Sequence, residues 1–198
     1  MSGGLQILTL AGPAAENYLQ DLARLRISVF REFPYRYEGD IAYEEKYLGT
    51  YFSSPRARVV LCLDQQKVVG ASTCIPLQDE DDAFKVPFVQ RGLSPQEVMY
   101  FGESVLEPQY RGRGLGKTFF EERLKHAHAT PGMKREAFCA VVRPEDDPAR
   151  PLDYRPLDPF WRSYGFAKMP GLECQLSWKE VGATHESPKT LQFWVREL

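Results

Sequence analysis

Two hydrophobic periods alternate along the chain. Short stretches that alternate apolar and polar residues, or are apolar throughout, have the period of a strand; longer ones repeat every three to four residues, as a helix does. Leu5-Gln-Ile-Leu-Thr-Leu10 predicts a first strand, ended by Gly12-Pro13. From Ala14 onward Tyr18, Leu22, Leu25 and Val29 recur at helical spacing and predict an amphipathic helix that stops before Pro34. Arg58-Val-Val-Leu-Cys-Leu63 and Val68-Val-Gly-Ala-Ser-Thr-Cys-Ile75, joined by a turn at 64–67, predict an antiparallel hairpin. Residues 78–97 break the pattern and read as an insertion of short helix and loop, whose acidic Asp79-Glu-Asp-Asp82 is a solvated face or, in a second reading, attracts a cationic acceptor.

Val98 to Leu106 is extended again, and a glycine-rich turn then opens a helical pattern lasting to about Ala129, with Leu115, Phe119 and Leu124 available to face a sheet. Glu136-Ala-Phe-Cys-Ala-Val-Val142 is nearly all apolar, as in a strand buried on both faces. Strand, crossover helix and strand make a βαβ unit, so 98–106 and 136–142 should run parallel. A proline-rich irregular loop to 159 leads to a short helix at Leu157–Phe166. Leu172, Cys174, Leu176 and Trp178 mark a half-buried strand, and Thr190–Val195 pairs back on it after a loop of 11 residues (179–189). The pattern is α/β, with a mixed central sheet of about six to seven strands flanked by helices. At 198 residues the expectation is a single domain, 1–198.

Seven aromatic side chains crowd the segment between Phe33 and Phe52. Tyr43, Tyr47 and Tyr51 are spaced to line one helix face and pack it on the sheet. Phe33, Tyr35 and Tyr37, in the loop before it, are candidates for walling an acceptor-substrate pocket, since a tyrosine combines a large apolar body with a polar tip.

Composition narrows the classes. Hydrophobic residues make up 43% and charged ones 26%, with a formal net charge of −2, so no polyanion-binding surface is indicated and nucleic acid is not an expected partner. Cys62, Cys74, Cys139 and Cys174 are far apart in apolar surroundings, which suits buried thiols in a reducing compartment better than disulfides or a zinc site. His126 and His128 are two apart on a helix and point to different faces, so no metal is expected. The first residues, Met-Ser-Gly-Gly-Leu-Gln, do not resemble a signal peptide, and no apolar run approaches a membrane span. The expected location is cytoplasmic.

The candidate chemistry begins at Glu107-Pro-Gln-Tyr-Arg-Gly-Arg-Gly-Leu-Gly-Lys-Thr118. A strand, a glycine-rich turn and a helix N-terminus form an anion site: glycines let backbone N–H groups approach a ligand, and the first helical turn adds its unpaired donors and dipole. A Walker A loop would need glycine at position 111, where Arg111 stands, and a dinucleotide fingerprint would need it at position 117, where Lys117 stands. Arg111-Gly-Arg-Gly-Leu-Gly116 instead resembles the [Gln/Arg]-x-x-Gly-x-[Gly/Ala] acyl-CoA pyrophosphate loop of the GNAT superfamily of N-acyltransferases. About 45 residues on, Phe160-Trp-Arg-Ser-Tyr-Gly-Phe166 resembles that family's Phe-Tyr-x-x-x-Gly-Phe signature. The element order matches as well, closely over 56–198 and in order only before that.

The resemblance implies that strands 98–106 and 136–142 splay apart to admit the pantetheine arm of acetyl-CoA, the acyl-donor cosubstrate. It implies that Gly112, Gly114 and Gly116 hold the pyrophosphate, with Leu106, Arg111, Arg113, Leu115 and Lys117 beside it. The acceptor would be a primary amine on a small molecule or peptide, attacking directly, since no Cys/His pair argues for a covalent enzyme intermediate. Glu103, the only ionisable residue inside its strand, is the candidate base; a structural role as a hydrogen-bond acceptor is the other reading. For the acid, Trp161 stands where many family members carry tyrosine, which leaves Tyr164, Tyr154 or a water. A non-catalytic acyl-CoA-binding module is the rival class, with a P-loop nucleotidase third. A homodimer through the C-terminal strands is also considered.

Overall fold

Among the described residues seven strands join in a single mixed sheet. They are β1 (Gln6–Ala11), β2 (Arg58–Asp64), β3 (Lys67–Pro76), β4 (Val98–Leu106), β5 (Arg135–Val141), β6 (Ala167–Lys179) and β7 (Glu186–Glu197), in the order β1-β2-β3-β4-β5-β7-β6. The structure is a computed structural model and describes residues 4–198. The reading of residues 1–6 as lacking a leader falls partly on 1–3, outside the described residues. Among the described residues five helices cover the sheet: α1 (Leu19–Phe30), α2 (Ile41–Ser53), α3 (Asp82–Gln90), α4 (Leu115–Ala129) and α5 (Asp158–Ser163). Helices α1, α2 and α3 lie on one face, α4 and α5 on the other.

Of these strands, only β4 and β5 are parallel neighbours, as the crossover through α4 requires. Their ladder is short: Val98 pairs with Arg135, Met99 with Glu136 and Tyr100 with Ala137, and there it stops. On the outer sides, β4 stays paired to β3 as far as Leu106 and β5 to β7 as far as Val141. The two strands therefore part inside an otherwise continuous sheet. The expectation that 136–142 is buried throughout holds only for Glu136, Ala137 and Phe138; Cys139 to Val141 are half-buried and Val142 is exposed, because β4 has moved away from them.

A second irregularity adjoins the gap. Ser72 pairs with Ser104 and Cys74 with Phe101, so Thr73 alone opposes both Gly102 and Glu103. This β-bulge on β4 bends the strand and re-aims its side chains, a device common beside active sites.

Local sequence explains most boundaries. Helix α1 begins later than its hydrophobic spacing implies: Gly12–Tyr18 forms a 3₁₀ helix, and Ala11 ahead of it has no side chain with which to cap an α-helix. Asp40 caps α2 by accepting from Tyr43 N at 3.0 Å, and Asp81 caps α3 by accepting from Ala83 N at 2.9 Å. The buried stripe of α2 is Glu44, Leu48, Tyr51 and Phe52, rotated from the expected tyrosine stripe; Tyr51 is enclosed while Tyr43 is 51% exposed. The 78–97 insertion is short helix and loop, with Phe84 and Phe88 buried against β4 and β7. Its acidic run is not simply a solvated face. Asp79 accepts from Ser54 and Arg56, and Glu80 is buried, accepting from the Tyr51 hydroxyl and from Asp81 N. The β6–β7 connection spans only 180–185 rather than 11 residues, because both strands extend farther than their alternating cores.

Beneath α4 and α5, Phe120 sits among Phe101, Phe138, Phe160 and Phe166, with ring centroids 5.2 to 6.1 Å apart. Truncating such a side chain to alanine costs about 3–5 kcal/mol. This cluster packs α4 and α5 against the sheet beside the gap.

Candidate active site

On the α4 face, the end of β4 turns through a 3₁₀ turn at Pro108–Tyr110 into the glycine loop and then α4. Gly112 (φ +75°) and Gly114 (φ +81°) are left-handed, a conformation that a side chain disfavours. Gly114 is also the N-cap, so the N–H groups that follow, at Leu115, Gly116 and Lys117, have no helix carbonyl to accept them. A Cβ added at Gly112, Gly114 or Gly116 would meet nothing within 4 Å. Donors of one sign, a helix dipole and free space above them fit a pyrophosphate.

The basic side chains around the loop are less available than their positions suggest. Arg111 donates to both carboxylate oxygens of Glu32 (2.8 and 3.2 Å) and to Leu106 O (3.2 Å). Lys117 lies 3.6 Å from Glu121, and Arg113 stacks over Tyr110 at 5.2 Å. Leu106 and Leu115 pack in the small apolar cluster under the loop.

On the opposite face, at the bulge, a cavity of about 90 Å³ opens between the strands and α1 and α2. Tyr100, Gly102 and Glu103 from β4 line it, with Cys139 from β5 and Trp178 from β6. Gly102 is required by close approach: a Cβ there would lie 2.5 Å from Thr73 Oγ1 and collide with the Tyr51 hydroxyl. Arg26 lies within the cavity wall, donating from Nε to Glu44 and from Nη1 to Glu103. All three are nearly solvent-free. Burial pushes the Glu103 carboxyl above the usual carboxylate range, partly offset by Arg26 and by the Thr73 hydroxyl beside it. On the other face, Arg123 of α4 donates to Glu103 O at 3.4 Å and stacks on Phe101 and Phe120; burial lowers its guanidinium to about 10.

Of the aromatic candidates, Tyr35 and Tyr37 line this cavity, whereas Phe33 does not and packs edge-on against Tyr154 at 4.7 Å. Burial raises the phenols of Tyr35 and Tyr37, and the charge of Glu44 raises Tyr37 further. Tyr164 and Glu103 are not brought together. Tyr164 lies on the α4 face, its ring 5.0 Å from Phe120 and 5.2 Å from Phe160, and partial burial followed by the charge of Glu121 raises its phenol. Trp161 is a packing residue against Phe138 and Trp194.

Sequence reasoning passed over Arg26 and Glu44. The signal was available: Arg26 falls on the stripe of Leu22 and Leu25, and Glu44 is one turn before Leu48, so each puts a charge on a buried helix face. No cluster of three potential metal ligands occurs among the described residues, and none of the described helices is long and apolar enough to cross a membrane.

A seven-stranded mixed sheet with one parallel pair, flanked by helices, is the fold of the GNAT acetyltransferases. The sequence model of the acetyltransferase (GNAT) family matches residues 19–154, and the chain belongs to that family. Among solved structures, an acetyltransferase from Thermus thermophilus is similar at 20% identity and a TM-score of 0.54, over 98% of this chain and 97% of that one. The ribosomal-protein-alanine N-acetyltransferase of Brucella melitensis matches at 16% identity and 0.59, over 96% and 99%. Arabidopsis thaliana NAA60, crystallised with a bisubstrate analogue, matches at 11% and 0.56, over 98% and 99%. At these identities the likeness is one of fold. A comparison with curated proteins found no match.

Proposed function

We propose that the protein is an N-acetyltransferase that moves the acetyl group of acetyl-CoA to the primary amine of a small molecule or peptide by direct attack, acting as one domain. The observation that carries this reading is the opposition of the Gly112–Gly116 loop and Glu103 across the gap where β4 leaves β5.

The residues present fit the cosubstrate. Backbone N–H groups of Gly112 to Lys117 would hold the pyrophosphate, with the side chains of Arg113 and Lys117 near it. Bound acetyl-CoA supplies an activated acetyl thioester and leaves as the thiol. The acceptor poses the harder problem, because an alkylamine with a pKa of about 10 costs roughly 4 kcal/mol to deprotonate at neutral pH. Glu103 takes that proton, directly or through a water; its raised affinity for protons makes it a better base than an ordinary carboxylate. The C–N bond forms as the C–S bond breaks, and the departing sulfur takes a proton from Tyr164 or a water.

Direct attack is supported by the state of the thiol in the cavity wall. Burial pushes the Cys139 thiol well up, which leaves it a poor nucleophile. The protein would act in the cytoplasm, alone or as a homodimer through the C-terminal strands. The decisive test is time-resolved CoA-thiol release with acetyl-CoA and a panel of amines, amino acids, antibiotics and peptides. Turnover with an amine is expected; tight acetyl-CoA binding with no turnover on any acceptor overturns the reading.

A further inference from the structure

The cavity at Glu103 contains more negative charge than the base role needs. Glu44 and Glu103 each commit one oxygen to Arg26. The other oxygen of each, Oε1, is buried without any hydrogen-bond partner among the described residues. Both side chains line the same cavity, and Arg26 is the only basic residue among those described that does. Two carboxylates thus face one guanidinium, and although the Tyr37 hydroxyl lies beside Glu44 and the Thr73 hydroxyl beside Glu103, neither Oε1 atom accepts a hydrogen bond. Buried polar groups are as a rule satisfied, so such a pair marks the place of a missing donor. A cationic N–H donor corrects the charge and the hydrogen bonding together.

The rest of the wall is aromatic. Tyr43 stands half-exposed at the rim beside Tyr37, ring centroids 6.4 Å apart. Tyr47, with Arg26 over its ring at 4.3 Å, and Trp178, 5.9 Å from Tyr35, close the sides. Aromatic faces favour both a flat apolar body and a cation. A ligand carboxylate next to the ammonium would meet Glu44 and Glu103 with no second cation among the residues that line the cavity.

Building on the function proposed above, we propose that this cavity selects a carboxylate-free primary amine with a flat apolar body, an arylalkylamine, and that Glu44 is the specificity residue seating its ammonium beside Glu103. The two unpartnered oxygens would accept from the ammonium, and the aromatic walls would hold the body. Free α-amino acids are rejected by charge.

The test pairs 2-phenylethylamine with phenylalanine, which has the same body plus a carboxylate, in the CoA-release assay on the full chain. The proposal expects kcat/KM for the amine at least a hundredfold above that for the amino acid. It also expects Glu44→Gln to raise KM for 2-phenylethylamine at least tenfold while KM for acetyl-CoA stays within twofold. Equal use of phenylalanine, or an unchanged amine KM in Glu44→Gln, overturns it. If Glu44→Gln does not fold, Tyr43→Ala decides at the rim: a fivefold or greater rise in the amine KM supports the proposal, and no change overturns it. Turnover of a peptide or aminoglycoside without 2-phenylethylamine overturns this inference but leaves the acetyltransferase reading intact. If no amine releases CoA, calorimetry of 2-phenylethylamine against the CoA-loaded protein separates the two. Binding that Glu44→Gln weakens keeps the seat and removes the catalysis, and absence of binding removes the seat.

Discussion

Arg26 on α1 donates to the carboxylate of Glu103 on β4, and both are shielded from solvent. The same guanidinium holds Glu44, so one cation ties two helices to the bulged strand. Removing one member of a buried charge cluster costs about 3–5 kcal/mol, because the others stay buried and uncompensated. Arg26→Met should therefore lose stability of about that size in urea unfolding at pH 7. The sign with pH follows from the carboxylates. Burial already holds the folded Glu103 above its unfolded range, and losing Arg26 raises it further. The deficit of the variant is then largest at neutral pH and shrinks as pH falls through that raised value. A deficit independent of pH would mean that lost packing, not charge, is responsible.

Glu103→Gln separates a catalytic from a structural role. General-base assistance is worth roughly 10²–10⁴ in rate, so kcat should fall by that order with acetyl-CoA affinity unchanged. In the wild-type protein, the acid limb of kcat/KM should lie above the ordinary glutamate value of about 4.3, since desolvation outweighs Arg26 and Thr73 in setting this carboxyl. The limb should be absent from the variant. A rate profile from pH 5 to 9 that is the same in both proteins removes Glu103 from the base position.

The backbone was easier to read from sequence than the site. Val98–Leu106 and the helix ending at Ala129 came out within a residue because periodicity, glycine and proline are local signals. The parting of β4 from β5 followed from the family resemblance, and its register is that of three residue pairs. The bulge at Gly102-Glu103 was invisible, since nothing in Phe-Gly-Glu-Ser says that Thr73 will oppose two residues. Arg26 and Glu44 go unread, and Glu80 reads as one of an acidic run, for another reason. Each has a side-chain partner 18 or more residues away, and only the fold brings the partners together. Arg111 was misleading in the opposite sense, because its local setting beside a phosphate loop did not disclose Glu32.

That pairing sets up a contrast between two loop variants. Gly114→Asp places a side chain on a residue with φ +81° and a negative charge among the donors of the α4 N-terminus. Acetyl-CoA affinity should drop at least tenfold, about 1.4 kcal/mol or more. Arg111→Ala should change it by less than about threefold, because the guanidinium already serves Glu32, and an exposed pair of this kind contributes only about 0–1 kcal/mol to folding. Equilibrium dialysis with acetyl-CoA measures both. A large loss in Arg111→Ala would show that the arginine leaves Glu32 for the phosphates.

The enclosed hydroxyl of Tyr51 makes Gly102 indispensable, and a double-mutant cycle can isolate the contact. Gly102→Ala drives a methyl toward the Tyr51 hydroxyl and to 2.5 Å from Thr73 Oγ1, an overpacking worth about 1–3 kcal/mol. Tyr51→Phe removes the hydroxyl but takes a donor from Glu80, which is buried and keeps only the Asp81 N–H. Leaving that acceptor short costs about 1–3 kcal/mol. Combined, the substitutions interfere less than they do singly, because the phenylalanine removes the nearest atom the new methyl meets, leaving the ring carbon Cζ at 2.8 Å. Chemical unfolding of the four proteins should give a double variant more stable than the sum of the single losses predicts, by at least about 0.5 kcal/mol. Strict additivity would place the strain of Gly102→Ala on Thr73 and the ring carbon of residue 51 instead. The compensating substitution would then be Thr73→Ser, which keeps the hydroxyl while removing the methyl that holds it in place.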